Sequence, residues 1–142
     1  TLNGIAAAEA ARFEVHACTD VTGFGLMGHM SEMLGVYSLE IAVDASSLPL
    51  LPGAADHAAM GIIPAGMYRN RDFVGGRCVV ERGVPLAIAD IAFDPQTSGG
   101  LLVALPEAQA RSLADRLIAC GHESASIIAR VRQADTPVIR IV

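Results

Sequence analysis

The chain has 142 residues, enough for one folded domain. Apolar residues make up 52% of it and charged residues 18%, which supplies a core and excludes a disordered chain. All ten basic residues are arginines, and they stand against fifteen acidic residues for a net charge of −5. Aromatic residues are only 4%, so both the cationic and the stacking contributions to nucleic-acid binding are weak, and we expect no nucleic-acid partner.

The cysteines and the apolar segments favour a cytoplasmic protein. Cys18, Cys78 and Cys120 are odd in number and widely spaced, which indicates neither a disulfide framework nor a cysteine zinc site. Apolar segments such as 84–93 are much shorter than the ~18 residues that a membrane span needs. We therefore expect no membrane partner.

Short apolar stretches and glycine-rich turns follow one another along the first half of the chain. Residues 2–11 predict an Ala-rich helix that enters from upstream, and with residues 1–12 as this entering segment we expect residues 1–142 to be a single domain of a longer protein. Beyond this helix we predict strands over 13–19 and 38–43, helices over 24–34 and 49–60, and a long loop over 61–76.

The second half has the same mixed character. We predict strands over 78–80, 101–105, 124–131 and 137–142, and helices over 85–92 and from Pro106 to just before Gly121. Helices and strands without a strict β-α-β alternation indicate an α+β domain in which helices pack in layers on a mixed sheet.

Two turns concentrate the unusual residues. The first motif, residues 19–25, reads TDVTGFG, and the second motif, residues 94–100, reads DPQTSGG. Glycines and hydroxyls at a strand-to-helix turn can bind an anion, with Thr22 and Gly23 as the candidate contacts. Asp20 would repel a phosphate unless a cation lay between them, so a phosphate ligand implies a metal ion at Asp20. The alternative is structural: Asp20 or Thr22 caps the helix, and Asp94 forms an Asx-turn.

A dinucleotide site is a second alternative. Gly23, Gly25 and Gly28 form a literal G-x-G-x-x-G, and Asp44 follows at the end of a predicted strand, as in the NAD-binding fingerprint. Asp20 argues against it, because its carboxylate stands three residues before the first glycine, close to where an unshielded pyrophosphate would lie. A metal site built from His16, Cys18, Asp20 and His29 is weaker still, because no paired His or Cys spacing accompanies them.

Together the segments CTDVTGFGLMGH (18–29) and DPQTSGGLL (94–102) resemble the C-terminal domain of the selenophosphate synthetases, also called selenide, water dikinases. This family belongs to the aminoimidazole ribonucleotide synthetase-like superfamily. The resemblance extends over about residues 2–131 and includes Arg69 and Asn70, although the residues before Arg69 depart from the family pattern.

The resemblance implies an α+β domain that closes over ATP bound mainly by an N-terminal domain outside this chain. The whole enzyme would be a homodimer that makes selenophosphate, AMP and phosphate from selenide, ATP and water. Asp20 matches the family aspartate that coordinates Mg²⁺ at the ATP phosphates. The family's catalytic cysteine or selenocysteine and its lysine belong to the N-terminal domain, so no catalytic residue is expected here and the isolated chain should be inactive. A non-catalytic, stand-alone domain of the same fold is the remaining alternative.

Overall fold

The computed structural model describes residues 2–142. Six helices and six strands follow one another in the order α1 (Gly4–Ala10), β1 (Ala17–Asp20), α2 (Gly25–Leu34), β2 (Leu39–Val43), α3 (Ala54–Ala59), α4 (Ala65–Val74), β3 (Cys78–Val80), α5 (Leu86–Ala92), β4 (Leu101–Ala104), α6 (Glu107–Ala119), β5 (Ala129–Gln133) and β6 (Val138–Ile141). Two short 3-10 helices, Ala45–Ser47 and Gly75–Arg77, complete the described chain. None of the helices is long and apolar enough to cross a membrane in this described part.

The strands form two sheets. β1 and β4 make an antiparallel ribbon, and the other four strands make a sheet in the order β3-β6-β2-β5. In that larger sheet β6 runs parallel to β2 and β3, whereas β5 runs antiparallel to β2, so the sheet is mixed. The α+β class with a mixed sheet, predicted from the sequence, is confirmed.

The core lies between the four-stranded sheet and the helices that cover one of its faces. Met27 and Met30 of α2 are almost fully buried against this face, which the sheet lines with Ile139 and Ile141. Met67 of α4 is equally inaccessible. The spacing of the α2 methionines places them on one side of the helix, and burying that side holds α2, and the turn before it, on the sheet.

Several predicted boundaries are corrected by the structure. The predicted loop over 61–76 contains α4, because residues 65–74 lie between Pro64 and the positive-φ Gly75 and bury one apolar side of a helix. The helix predicted over 49–60 occupies only its second part, after the left-handed Gly53. The strand predicted over 124–131 begins at Ala129 and continues to Gln133, and the strand predicted over 13–19 begins at Ala17.

The start of α2 is fixed by a close approach of two backbones. Gly25 has a φ of +67°, a conformation that L side chains rarely adopt. A Cβ at this position would lie 2.7 Å from the carbonyl carbon and oxygen of Phe93 and 2.9 Å from the carbonyl oxygen of Asp94. Only glycine lets the first turn of α2 reach the chain just before the second motif.

Gly25→Ala should therefore destabilise the domain by about 3 kcal/mol, combining left-handed strain with an overpacked contact that backbone atoms cannot relieve. Gly61→Ala is the matched control, since Gly61 also has a positive φ (+77°) but meets nothing within 4 Å of an added Cβ. The free energy of unfolding of the control should fall by only about 1 kcal/mol, from backbone strain alone. Urea denaturation measures both losses, and equal losses would refute the close approach.

Candidate functional site

The antiparallel β1–β4 ribbon brings the two motifs together. In its register Asp20 is opposite Leu101, so the end of β1, where the first motif begins, meets the start of β4, where the second motif ends. Two backbone hydrogen bonds extend this ladder into the motifs: Val21 N–H donates to the Gly100 carbonyl at 3.0 Å, and Gly99 N–H donates to the Val21 carbonyl at 3.1 Å. The two motifs therefore form one connected surface.

Further contacts fix the turn that follows Asp20. The carbonyl of Thr22 accepts from the N–H groups of Gln96 and Gly25, each at 3.0 Å. A Cβ at Gly99 would lie 2.3 Å from the Val21 carbonyl oxygen, so the second motif needs glycine where it crosses the first. The backbone between Val21 and Gly25 is thus held by the second motif.

Asn70 adds a side-chain clamp that the sequence did not predict. It lies on α4, is only 7% exposed, and donates from Nδ2 to the carbonyls of Gly23 and Phe93, both at 2.9 Å. One amide thus joins the first motif to the chain just before the second. The resemblance to the family includes the Arg69–Asn70 pair and could have pointed to Asn70. The predicted loop, however, did not indicate that Asn70 lies on a helix, from which its side chain bonds to both segments.

Asp20 lies exposed as the last residue of β1, five residues before α2 begins. The helix has no side-chain cap, so the prediction that Asp20 or Thr22 caps α2 is wrong. Gly23 is also exposed, and a Cβ built there would meet nothing within 4 Å. The site therefore presents an exposed carboxylate and an open glycine in the segment that leads into α2.

The Thr22 hydroxyl contacts a residue of α2. It is half-buried, and its Oγ1 lies 3.0 Å from Nε2 of His29, whose Nδ1 lies 3.0 Å from Oε2 of Glu32. His29 thus has a hydrogen-bonding role, and one of its partners is a site residue.

The arrangement is not a complete metal centre. No group of three or more His, Cys, Asp or Glu side chains that could hold a metal ion occurs within residues 2–142. The four-residue site considered for His16, Cys18, Asp20 and His29 is therefore absent from this range. Asp20 and Thr22 offer hard oxygen atoms, which suit Mg²⁺, but a stable site needs further ligands from other molecules or chain segments.

The dinucleotide alternative does not fit the structure. The strands that flank α2, β1 and β2, belong to different sheets, so no parallel β-α-β unit surrounds the glycines. Asp44 accepts hydrogen bonds from the Ser46 N–H at 2.9 Å and from the Ser46 and Ser47 hydroxyls at 2.6 and 2.7 Å. These bonds lower the pKa of Asp44 and cap the short 3-10 helix, which leaves the carboxylate a structural role.

The acidic residue of the second motif also differs from its prediction. Asp94 forms no Asx-turn, because the Gln96 N–H bonds to Thr22 and only the Gln96 side chain reaches the Asp94 carboxylate, at 3.0 Å. Burial raises the pKa of Asp94, and the hydrogen bond from Gln96 opposes that rise.

Neither Cys18 nor Cys78 has the environment of a reactive thiolate. Burial, followed by the nearby charge of Asp20, raises the pKa of Cys18. Burial raises the pKa of Cys78 to about 11, although Arg71 partly opposes it. Catalytic thiols need a lowered pKa, so the proximity of Cys18 to Asp20 does not make it a nucleophile.

Comparison with known proteins agrees with this geometry. Residues 2–142 match the family described as AIR synthase related protein, C-terminal domain, and the chain belongs to that family. Among individual relatives, it is 45% identical over 130 residues to selenide, water dikinase 2 of Peptoclostridium acidaminophilum, covering 92% of this chain and 37% of that protein.

Two further relatives show the same partial coverage. The chain is 43% identical over 141 residues to the selenide, water dikinase of Pelobacter propionicus, covering 99% of the chain and 40% of the relative. It is 42% identical over 136 residues to the selenide, water dikinase of Treponema denticola, covering 92% of the chain and 38% of that relative. The chain thus spans about two fifths of the length of the curated relatives it matches, and the resemblance found in the two motifs is confirmed.

Replacing Asn70 should loosen the turn after Asp20. In Asn70→Ala the carbonyl of Gly23 loses a donor and the carbonyl of Phe93 loses one in a buried setting, and we expect the free energy of unfolding to fall by about 2 kcal/mol. Arg69→Ala, an exposed neighbour on the same helix, should change it by less than about 0.5 kcal/mol. Guanidinium denaturation followed by circular dichroism measures both. Equal effects would show that the Asn70 amide is not a clamp.

Proposed function

We propose that this chain is the C-terminal part of a selenide, water dikinase, and that Asp20 contributes one carboxylate to its Mg²⁺–ATP site. The observation that carries the proposal is the position of Asp20, exposed at the end of β1 in the segment that leads into α2. Relatives 42–45% identical to this chain bear the name selenide, water dikinase, which supports the choice of reaction.

The chemistry of the residues fits this role. When bound, Mg²⁺ would offset the phosphate charge of ATP and orient the phosphoryl group for in-line transfer. Asp20 would hold the cation through a carboxylate oxygen, while the open surface at Gly23 allows a phosphate to come close to the backbone. Thr22 would supply a hydroxyl oxygen beside them.

In this proposal the chain provides only part of the site. It contains no Lys, and a lone carboxylate cannot satisfy the six oxygen ligands that Mg²⁺ prefers. The nucleophile, the lysine and the remaining ligands would come from an N-terminal domain, in a cytoplasmic enzyme that works as a homodimer on selenide and ATP. The chain alone would fold without turning over ATP.

The test uses a chimera, because the isolated chain is expected to be inactive. This chain replaces the matching two fifths of the Pelobacter propionicus relative, and selenide-dependent AMP release is measured at limiting Mg²⁺. Asp20→Asn should reduce turnover by at least about a hundredfold, because the charge that holds the cation is lost, as expected for groups at a phosphoryl-transfer site. Its thermal stability should stay within about 1 kcal/mol.

Asp135→Asn is the matched control, since Asp135 is an exposed aspartate in the turn between β5 and β6. The control should release AMP at the rate of the unsubstituted chimera. Normal turnover of the Asp20 variant at limiting Mg²⁺ would remove Asp20 from the metal site. A chimera that folds but makes no AMP, even without substitution, would support the stand-alone, non-catalytic alternative.

A further inference from the structure

A hydroxyl, an imidazole and a carboxylate lie in series beside Asp20. Thr22 Oγ1 is 3.0 Å from His29 Nε2, and His29 Nδ1 is 3.0 Å from Glu32 Oε2. Thr22 follows the end of β1, whereas His29 and Glu32 lie one turn apart on α2. The i, i+3 spacing on one helix allows this contact, although the Glu32 side chain is 51% exposed.

The imidazole is held rigidly. The His29 side chain is only 9% exposed, and the ring of Phe24 packs against it with centroids 5.6 Å apart. Both ring nitrogens have a protein partner at hydrogen-bond distance, so neither needs water. A ring fixed in this way has its proton positions set by its two partners.

The partners assign those positions. An ionised carboxylate can only accept hydrogen bonds, so Glu32 requires a proton on Nδ1 of His29. In a neutral imidazole the other nitrogen, Nε2, is then an acceptor, and the only proton available for the 3.0 Å contact is that of the Thr22 hydroxyl. With the ring in its neutral form, the hydroxyl proton of Thr22 is therefore directed at His29, away from a ligand.

We propose that His29 and Glu32 are positioning residues that make Thr22 a hydrogen-bond acceptor toward the Asp20 surface. A hydroxyl whose proton is given to Nε2 has only lone pairs left to offer. It suits a cation, or a water bound to that cation, and it cannot donate to a phosphate oxygen. This inference rests on the proposed Mg²⁺–ATP function, and it changes the role expected for the Thr22 hydroxyl from phosphate donor to acceptor on the cation side.

The direct test is the tautomer of His29 in the ligand-free chain, read by ¹⁵N NMR at pH 7.5. We expect a protonated Nδ1 and an unprotonated Nε2. Glu32→Ala should abolish this fixed tautomer, and Glu123→Ala, at an exposed glutamate after α6, should leave it unchanged. A proton on Nε2 in the unsubstituted chain, in either the neutral or the charged ring, would overturn the proposal.

A second measurement tests whether the Thr22 hydroxyl contributes to Mg²⁺ binding and not only to folding. In the chimera, Thr22→Val should raise the half-saturating Mg²⁺ concentration about tenfold, the loss expected for one hydrogen bond of about 1.4 kcal/mol. Thr22→Ser keeps the hydroxyl and should stay within about twofold. An unchanged Mg²⁺ requirement in Thr22→Val would also overturn the proposal.

The two proposals fail separately. If Asp20→Asn turns over normally while His29 carries its proton on Nδ1 and Thr22→Val still raises the Mg²⁺ requirement, the role of Asp20 fails and the positioning role of His29 stands. If Asp20→Asn is inactive while Nε2 carries a proton, the metal site stands and the role of His29 and Glu32 falls.

Discussion

The site depends on the backbone ladder that joins the two motifs beyond the end of the β1–β4 ribbon. The bonds of Val21 with Gly99 and Gly100, and of Thr22 with Gln96, use the carbonyl and amide groups that a free turn would give to water. Because these groups are satisfied by protein, the bonds restrain the turn after Asp20. The side chain of Asp20 takes no part in the ladder and remains exposed at its edge.

The composition of the motifs follows from these two roles, backbone pairing and exposure at the edge. The glycines at 25 and 99 are needed where two backbones come too close for a Cβ, whereas Gly23 is open and faces the surface. Asn70 closes the same junction from a third element, α4. Structural and ligand-facing residues therefore alternate within a few positions of one another, and a motif shared with relatives is not by itself a list of ligand contacts.

The sequence allowed the fold class and the two motifs to be identified, but neither the meeting of the motifs in space nor the elements that fix them. The α2 helix was predictable because its methionines repeat on one side and Gly35 ends it. α4 was not, because Arg69, Asn70, Arg71 and Asp72 give it a polar appearance that resembles a loop. Its buried side is small, and it becomes recognisable only when Met67, Asn70 and Val74 are seen to share that side.

Contacts between residues far apart in the chain were the other feature that could not be predicted from the sequence. Nothing local in residues 19–25 tells that Thr22 accepts from Gln96, which is 74 positions away, so the capping interpretation of Asp20 was the reasonable local one. The exclusion of the dinucleotide fold likewise came from strand order, which places β1 and β2 in different sheets. His29 and Glu32 were visible in the sequence as polar residues on α2, but their link to Thr22 needed the turn geometry.

The central claim is that the edge formed by the first motif meets the metal ion of a bound nucleotide. Mn²⁺ can replace Mg²⁺ and broadens the NMR signals of nearby nuclei, so the most direct measurement uses the chimera with ¹⁵N label confined to this chain and Mn²⁺ with a non-hydrolysable ATP analogue. We expect the amide signals of Asp20, Thr22 and Gly23 to disappear while those of Asp44, Ser46 and Ser47 persist. Broadening centred on Asp44, or none at the first motif, would contradict the proposed metal contact.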